Sequence, residues 1–173
     1  MQQCDLSILP KTMDIMALAY GAVIAEAVEN LTEDYSPQEE IFILLQQALV
    51  LLSSHNKRLV VVSSLCKLLS LCGFDPELET CTTCHGKIEG DAYFSTVQGG
   101  VVCDNCSIGA ELPFAVGTRE LMLKLQHLDF ENPEKFVVRG ADLMQLEQTL
   151  YKFLVYQTDK PLVSLQFLAQ MSV

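Results

Sequence analysis

Two Cys-x-x-Cys pairs constrain the fold of this chain more than any other feature of its sequence. Cys81 and Cys84 form the first pair and Cys103 and Cys106 the second, with 18 residues between the pairs. Four cysteine thiolates at this spacing are typical of structural zinc sites. The segments "AYFST" and "GVV" flank "VQGG", which predicts a β-hairpin that turns near Gly99 and brings the pairs together. The sequence therefore predicts an inserted zinc-binding module over residues 79–108.

The predicted metal is one structural Zn²⁺ ion per chain. Four cysteines fill the tetrahedral shell, whereas a catalytic zinc keeps one position open for water. His85 is an alternative ligand, but with four cysteines available we expect it to face solvent or to support the site from outside. Gly86 is expected to allow the tight turn after Cys84, and Asn105 to adopt the left-handed conformation in the second turn. A thiol redox site is the weaker alternative, because it needs a single Cys-x-x-Cys at a helix start.

The rest of the chain reads as helices, since apolar residues recur at steps of three and four. The predicted helices are 13–31, 37–53, 57–72, a short helix from 118, 140–157 and a short helix from 161. Thr12, Ser36 and Thr118 are the predicted N-caps, Pro37 follows Ser36 as the first helical residue, and Gly73 ends the third helix. "LPFAVGT" is predicted as a loop, and the second helix, apolar nearly all round, is expected to be central. The predicted fold is mainly α, a helical bundle of residues 1–78 and 109–173 that carries the inserted hairpin.

Composition excludes several classes of function. The net charge is −11 and the 11 Lys and Arg residues are scattered, which argues against a basic nucleic-acid clamp. The phosphate-loop, dinucleotide-binding and nucleophile-elbow motifs are absent from the sequence, so no enzyme is expected. No apolar run reaches the roughly 18 residues that span a bilayer, and no secretory signal is visible. Seven cysteines, an odd number, favour a reducing, cytoplasmic setting.

Three segments in a fixed order carry a resemblance to a known family. They are "LLSLCGFDPELETC" at the end of the third predicted helix, the hairpin "GDAYFSTVQGGVVC" between the cysteine pairs, and the final "LEQTLYKFLVYQTDKPLVSLQFL". In this order they resemble the RecO family of bacterial recombination mediators and DNA-repair proteins, from about Leu6 to Met171. That family has an N-terminal OB-fold β-barrel, and this chain is expected to start just after it.

The resemblance implies a non-enzymatic role in recombinational DNA repair. RecO-like proteins bind and anneal DNA, and with RecR they load RecA onto strands coated by single-strand-binding protein. The acidic tail of that protein docks on the helical domain in the family, and Lys57, Arg58 and Lys67 are the best-clustered candidates here. DNA contacts are expected mainly on the missing OB-fold, because such barrels commonly carry a basic groove. An unrelated zinc-ribbon adaptor and a thiol redox protein remain the alternatives.

Overall fold

The computed structural model describes residues 14–32, 38–133 and 137–171. The helices and strands in these ranges are, in order, α1 (Ile15–Leu31), α2 (Glu39–Leu51), α3 (Lys57–Leu71), β1 (Ala92–Ser95), β2 (Gly100–Val102), β3 (Leu112–Phe114), α4 (Val116–Gln126), α5 (Gly140–Thr158) and α6 (Val163–Met171). The mainly α fold with a small inserted sheet is therefore confirmed. Within the same ranges, no helix combines the length and the apolar character needed to cross a membrane.

The central helix is α3, not α2 as predicted. It packs against α1, α2, α4 and α5, and its β-branched run from Val60 to Val62 is buried. By contrast, α2 leaves Phe42 63% and Ile43 42% exposed. A helix with an apolar surface all round can be buried on every side. Whether it is buried in this way depends on how many other helices pack against it.

The first two helices begin differently from the prediction. Asp14 caps α1, because its carboxylate accepts a hydrogen bond from the Ala17 N–H at 2.6 Å. The predicted cap Thr12 lies outside the described residues, as do Ser36 and Pro37. Within the described part, α2 begins at Glu39 after Gln38, whose side chain makes no capping bond.

A residue of α1 caps the last helix, α6. The N–H groups of Val163 and Ser164 donate to the Glu26 carboxylate at 2.7 and 2.8 Å, and the Ser164 hydroxyl donates to it as well. The helix starts at Val163 rather than at the predicted Pro161. Two of the backbone N–H groups in its first turn are thus satisfied from another helix.

The N-terminus of α4 is also capped from distant parts of the chain. Thr118, the predicted cap, lies inside the helix and is buried. Its hydroxyl and the Ala115 N–H donate to the side-chain oxygen of Gln145 on α5, at 2.6 and 3.0 Å. The Val116 N–H donates to Asp91, just before β1, at 2.9 Å.

The inserted sheet has three antiparallel strands in the order β2-β1-β3. The β1–β2 hairpin is as predicted, but the predicted loop at 112–114 is β3, paired with β1. Pro113 is tolerated because β3 is an edge strand, where a residue without an N–H can face away from its neighbour. Phe94 of β1 is buried with its ring centroid 5.3 Å from those of Phe114 and Phe153, so the sheet shares a core with α5.

Candidate metal centre

The first cysteine pair sits on a tight turn closed by backbone hydrogen bonds. The Cys81 N–H donates to the Gly86 carbonyl, and the His85 N–H donates to the Cys81 carbonyl, both at 2.8 Å. His85 has a φ of +58° and is exposed. His85, and not Gly86, adopts the left-handed conformation of the turn, and the His85 ring faces solvent.

The second pair sits on a similar turn. The Cys106 N–H donates to the Cys103 carbonyl at 3.0 Å. The left-handed conformation predicted for Asn105 is wrong, because the positive φ in this segment, +82°, belongs to Gly109. The Gly109 N–H donates to the Glu111 carboxylate at 3.0 Å, which closes the loop that leads into β3.

The two turns bring four sulfur atoms together. The Sγ atoms of Cys81, Cys84, Cys103 and Cys106 all lie within 4.8 Å of one another. Those of Cys84 and Cys103 are 3.8 Å apart. A tetrahedral Zn²⁺ ion with Zn–S bonds of about 2.3 Å places its sulfurs about 3.8 Å apart. The four cysteines therefore have a geometry that can hold a metal ion.

The electrostatics of the cluster also suit a cation. Burial raises the pKa of the Cys81 thiol, but amide donors outweigh it, among them the Cys103 N–H at 3.4 Å, and lower that pKa to about 6. The neighbouring sulfurs raise the pKa of Cys106 to about 12. Thiolates this close together repel one another, and a bound cation would offset that repulsion.

The segment before the first pair covers the outer edge of β2. The Glu77 N–H donates to the Gly99 carbonyl at 3.0 Å, and the Val101 N–H donates to the Glu77 carbonyl at 2.8 Å. A Cβ on Gly100 would lie 2.6 Å from the Glu77 carbonyl oxygen. The second glycine of "QGG" is thus required by the close approach of a neighbouring backbone.

Comparison with known proteins places the chain in a family. The family model "Recombination protein O C terminal" matches residues 13–166. The chain belongs to the RecO family. It is 31% identical over 153 residues to the DNA repair protein RecO of Pelotomaculum thermopropionicum, covering 87% of this chain and 60% of that protein. It is 27% identical over 158 residues to RecO of Desulforamulus reducens, covering 90% and 62% respectively. The chain spans about three-fifths of the length of these curated relatives.

The three basic residues predicted to bind a partner do not form one patch in this RecO-family chain. Lys57 and Arg58 lie at the start of α3, where Lys57 pairs with Asp14 at 3.2 Å and Arg58 pairs with Glu147 of α5. Lys67 lies nine residues beyond Arg58, about 14 Å along the helix axis. The three predicted residues therefore divide into two groups. Lys57 and Arg58 form ion pairs at the start of α3, and Lys67 lies apart from them.

Lys67 lies in a groove that sequence reasoning missed. This α2–α3 groove, of about 330 Å³, lies between α2 and α3 and is closed by residues 126–130. The Lys67 ammonium donates to the Gln126 carbonyl at 3.2 Å and lies 5.3 Å from the centroid of the Phe130 ring. Burial lowers its pKa. The carboxylates of Glu40 and Asp129 also line the groove.

Proposed function

We propose that this chain is the partner-binding part of a RecO-type recombination mediator and that it catalyses no reaction. It works with RecR and single-strand-binding protein to load RecA onto single-stranded DNA, in the bacterial cytoplasm at the nucleoid. Membership in a family of DNA-repair proteins supports this role. The observation that carries the proposal is a half-buried lysine in a groove of the helical part that apolar and polar side chains line together.

In this proposal the metal is one structural Zn²⁺ ion, held by Cys81, Cys84, Cys103 and Cys106. The spacing of the sulfurs supports zinc, and four thiolates leave no open position for a reacting water. When bound, zinc supplies folding free energy, about 10–16 kcal/mol in small zinc-finger peptides. Strands of three and four residues need such support, because sheets this small are marginal by themselves. Metal analysis of the purified chain is expected to give one zinc per chain.

The α2–α3 groove is the proposed site for the acidic tail of single-strand-binding protein. Apolar side chains of Ile43, Leu71 and Leu128 line it and would receive apolar groups of the tail. The partly desolvated Lys67 ammonium would receive a carboxylate, since ion pairs strengthen away from water. Glu40 and Asp129 repel an acidic peptide, so binding should depend strongly on Lys67.

A peptide titration tests this assignment. A fluorescent tail peptide is titrated with the wild-type chain, with Lys67→Met, and with the matched control Lys152→Met on the exposed side of α5. Loss of a charge-assisted hydrogen bond costs about 1.5–3 kcal/mol, so Lys67→Met should weaken binding at least about tenfold. Lys152→Met should change the affinity little. Equal losses in both variants would mean that only the overall charge matters.

Two further measurements probe the remaining parts of the role. A Lys57→Met, Arg58→Met double variant tests the other basic position; if it abolishes tail binding while Lys67→Met does not, the groove assignment is wrong. The chain alone should bind single-stranded DNA weakly, because its net charge of −11 opposes phosphate binding. Nanomolar DNA affinity at physiological salt would contradict that expectation.

A further inference from the structure

We propose that metal binding at the four cysteines and peptide binding in the α2–α3 groove are thermodynamically coupled, so that the chain with bound zinc binds its partner more tightly. This inference rests on the proposed function of the groove. Two separate sets of contacts connect the inserted sheet with the groove, and both meet at Gln126.

The first connection is the segment from Asp75 to Glu77. The Asp75 carboxylate accepts hydrogen bonds from the Ser70 hydroxyl and from the Gln126 side-chain amide, the latter at 3.1 Å. Ser70 and Gln126 both line the groove, on α3 and α4 respectively. Two residues after Asp75, the Glu77 backbone is hydrogen-bonded to the hairpin on both sides of Gly100. The folded hairpin thus positions the carboxylate that ties Ser70, on the α3 side of the groove, to Gln126, in the segment that closes it.

The second connection is α4 itself. At its N-terminus, the Val116 N–H donates to Asp91 at 2.9 Å, and the buried Arg119 guanidinium donates to the Gly90 carbonyl at 3.1 Å. Gly90 and Asp91 are the residues that lead into β1. At the other end of α4, the Gln126 carbonyl accepts the hydrogen bond from Lys67. The start of the sheet therefore holds the helix that positions the groove's lysine.

The hairpin is the two-state element that both sites influence. Its short strands fold when a metal joins the cysteine pairs and lose their order when the metal leaves. Unfolding of the hairpin releases Glu77, Gly90 and Asp91 at once, so both connections to Gln126 loosen together. A peptide then has to order the groove before it can bind, which weakens its affinity. By linkage, a bound peptide must raise the affinity of the chain for zinc by the same factor.

The first test compares peptide binding with and without zinc. The tail peptide is titrated into the zinc-loaded full chain, into the chain stripped by a chelator, and into the stripped chain after zinc is restored. We expect stripping to weaken binding at least about fivefold, the lower end of typical coupling, and zinc to restore it. Saturating peptide should slow zinc release to a colorimetric chelator. Equal affinity of the loaded and stripped chains would overturn the coupling and leave the proposed function intact.

A second test does not need the peptide. Hydrogen exchange of the stripped chain should show faster exchange at residues 123–130, with α1 unchanged, because α1 packs against the helices α2, α3, α5 and α6. Unchanged protection at 123–130 would overturn the inference even if the peptide never binds. A loaded chain that fails to bind the peptide would overturn the groove assignment and, with it, the coupling of the two sites.

A variant pair isolates the first connection. Asp75→Ala removes the link between Ser70 and Gln126 without touching a cysteine, so the loaded variant should bind the peptide more weakly and respond less to zinc. Glu79→Ala, an exposed carboxylate in the same segment, is the matched control and should behave as wild type. Both variants should retain one zinc per chain. A full zinc response in Asp75→Ala would exclude this connection as the route.

Discussion

Replacement of Glu26 tests whether one helix can depend on another for its cap. The Glu26 carboxylate accepts hydrogen bonds from the backbone of Val163 and Ser164 and from the Ser164 hydroxyl. The residues just before α6, Pro161 and Leu162, carry no polar side chain that could do this locally. Glu26→Ala therefore leaves the first N–H groups of α6 without a protein partner.

The expected cost follows from these contacts. Loss of an N-cap typically costs about 1 kcal/mol, and loss of a negative charge at a helix N-terminus costs about 0.3–1 kcal/mol. Water can replace part of the interaction because Glu26 is only half-buried. We expect Glu26→Ala to lower the free energy of unfolding by about 1.5 kcal/mol. For a chain of this size, that corresponds to about 3–6 °C in melting temperature.

The effect should depend on pH in a defined direction. Burial raises the pKa of Glu26, but the donors on Ser164 and Val163 outweigh it, and the pKa lies below its ordinary value of 4.5. A carboxyl with a lowered folded-state pKa stabilises the protein fully above its unfolded pKa, and this stabilisation is lost as the pH falls through the folded value. The stability difference between wild type and Glu26→Gln should therefore be constant at neutral pH and shrink below about pH 4.5.

Urea unfolding across this pH range provides the measurement, with hydrogen exchange at residues 163–171 as a local readout. Glu29→Ala, on the exposed side of α1, is the matched control. Acid would release a metal ion bound at the four cysteines from wild type and variants alike, so only the difference between proteins at each pH is interpreted. If Glu26→Ala is as stable as Glu29→Ala at neutral pH, or if the Glu26→Gln difference does not change with acidification, the capping argument is wrong.

Three other predictions concern the inserted sheet. Cys81→Ser or Cys103→Ser should abolish zinc binding and unfold the hairpin while the helical circular dichroism largely persists; unchanged zinc content and spectrum would refute the ligand assignment. Gly100→Ala should cost about 1–3 kcal/mol in urea unfolding, because its Cβ would lie 2.6 Å from a backbone oxygen, whereas Gly90→Ala, with nothing within 4 Å, should be neutral. Phe94→Ala should cost about 3–5 kcal/mol, since it empties a buried site between two other aromatic rings, and a loss under 1 kcal/mol would show that the sheet does not share a core with α5.

The cluster of four cysteines could be predicted from the sequence because its determinants are local. Each cysteine pair lies within four residues, and the hairpin between the pairs needs only a turn and two short β-prone segments. The left-handed residue in the first turn was harder to predict. His85 occupies that position next to Gly86, so the amino-acid types alone did not identify it.

The predictions of strands and helix caps were wrong where the interacting residues lie far apart in the sequence. Residues 112–114 include Pro113 and show no alternation, yet they form a strand because β1 offers them an edge. Thr118 precedes an apolar run and resembles a cap, but Gln145 and Asp91 satisfy the start of α4 instead. The groove was missed because Phe130 lies in a polar break that reads as an ordinary loop. The apolar periodicity also assigned Leu128 to the preceding helix, although α4 ends at Gln126.

By itself, the sequence determined the elements whose signals repeat within a few residues: the cysteine turns, the hairpin and the apolar periodicity of the long helices. Only the tertiary structure decided which helix is central, which side chains cap α4 and α6, and which of three basic residues reaches a groove. The physical reason is the separation in sequence over which each kind of interaction acts. Backbone geometry and periodicity act between neighbours in the chain, whereas a buried helix face or an unpaired N–H can be satisfied by any residue that the fold brings near, at any separation in sequence.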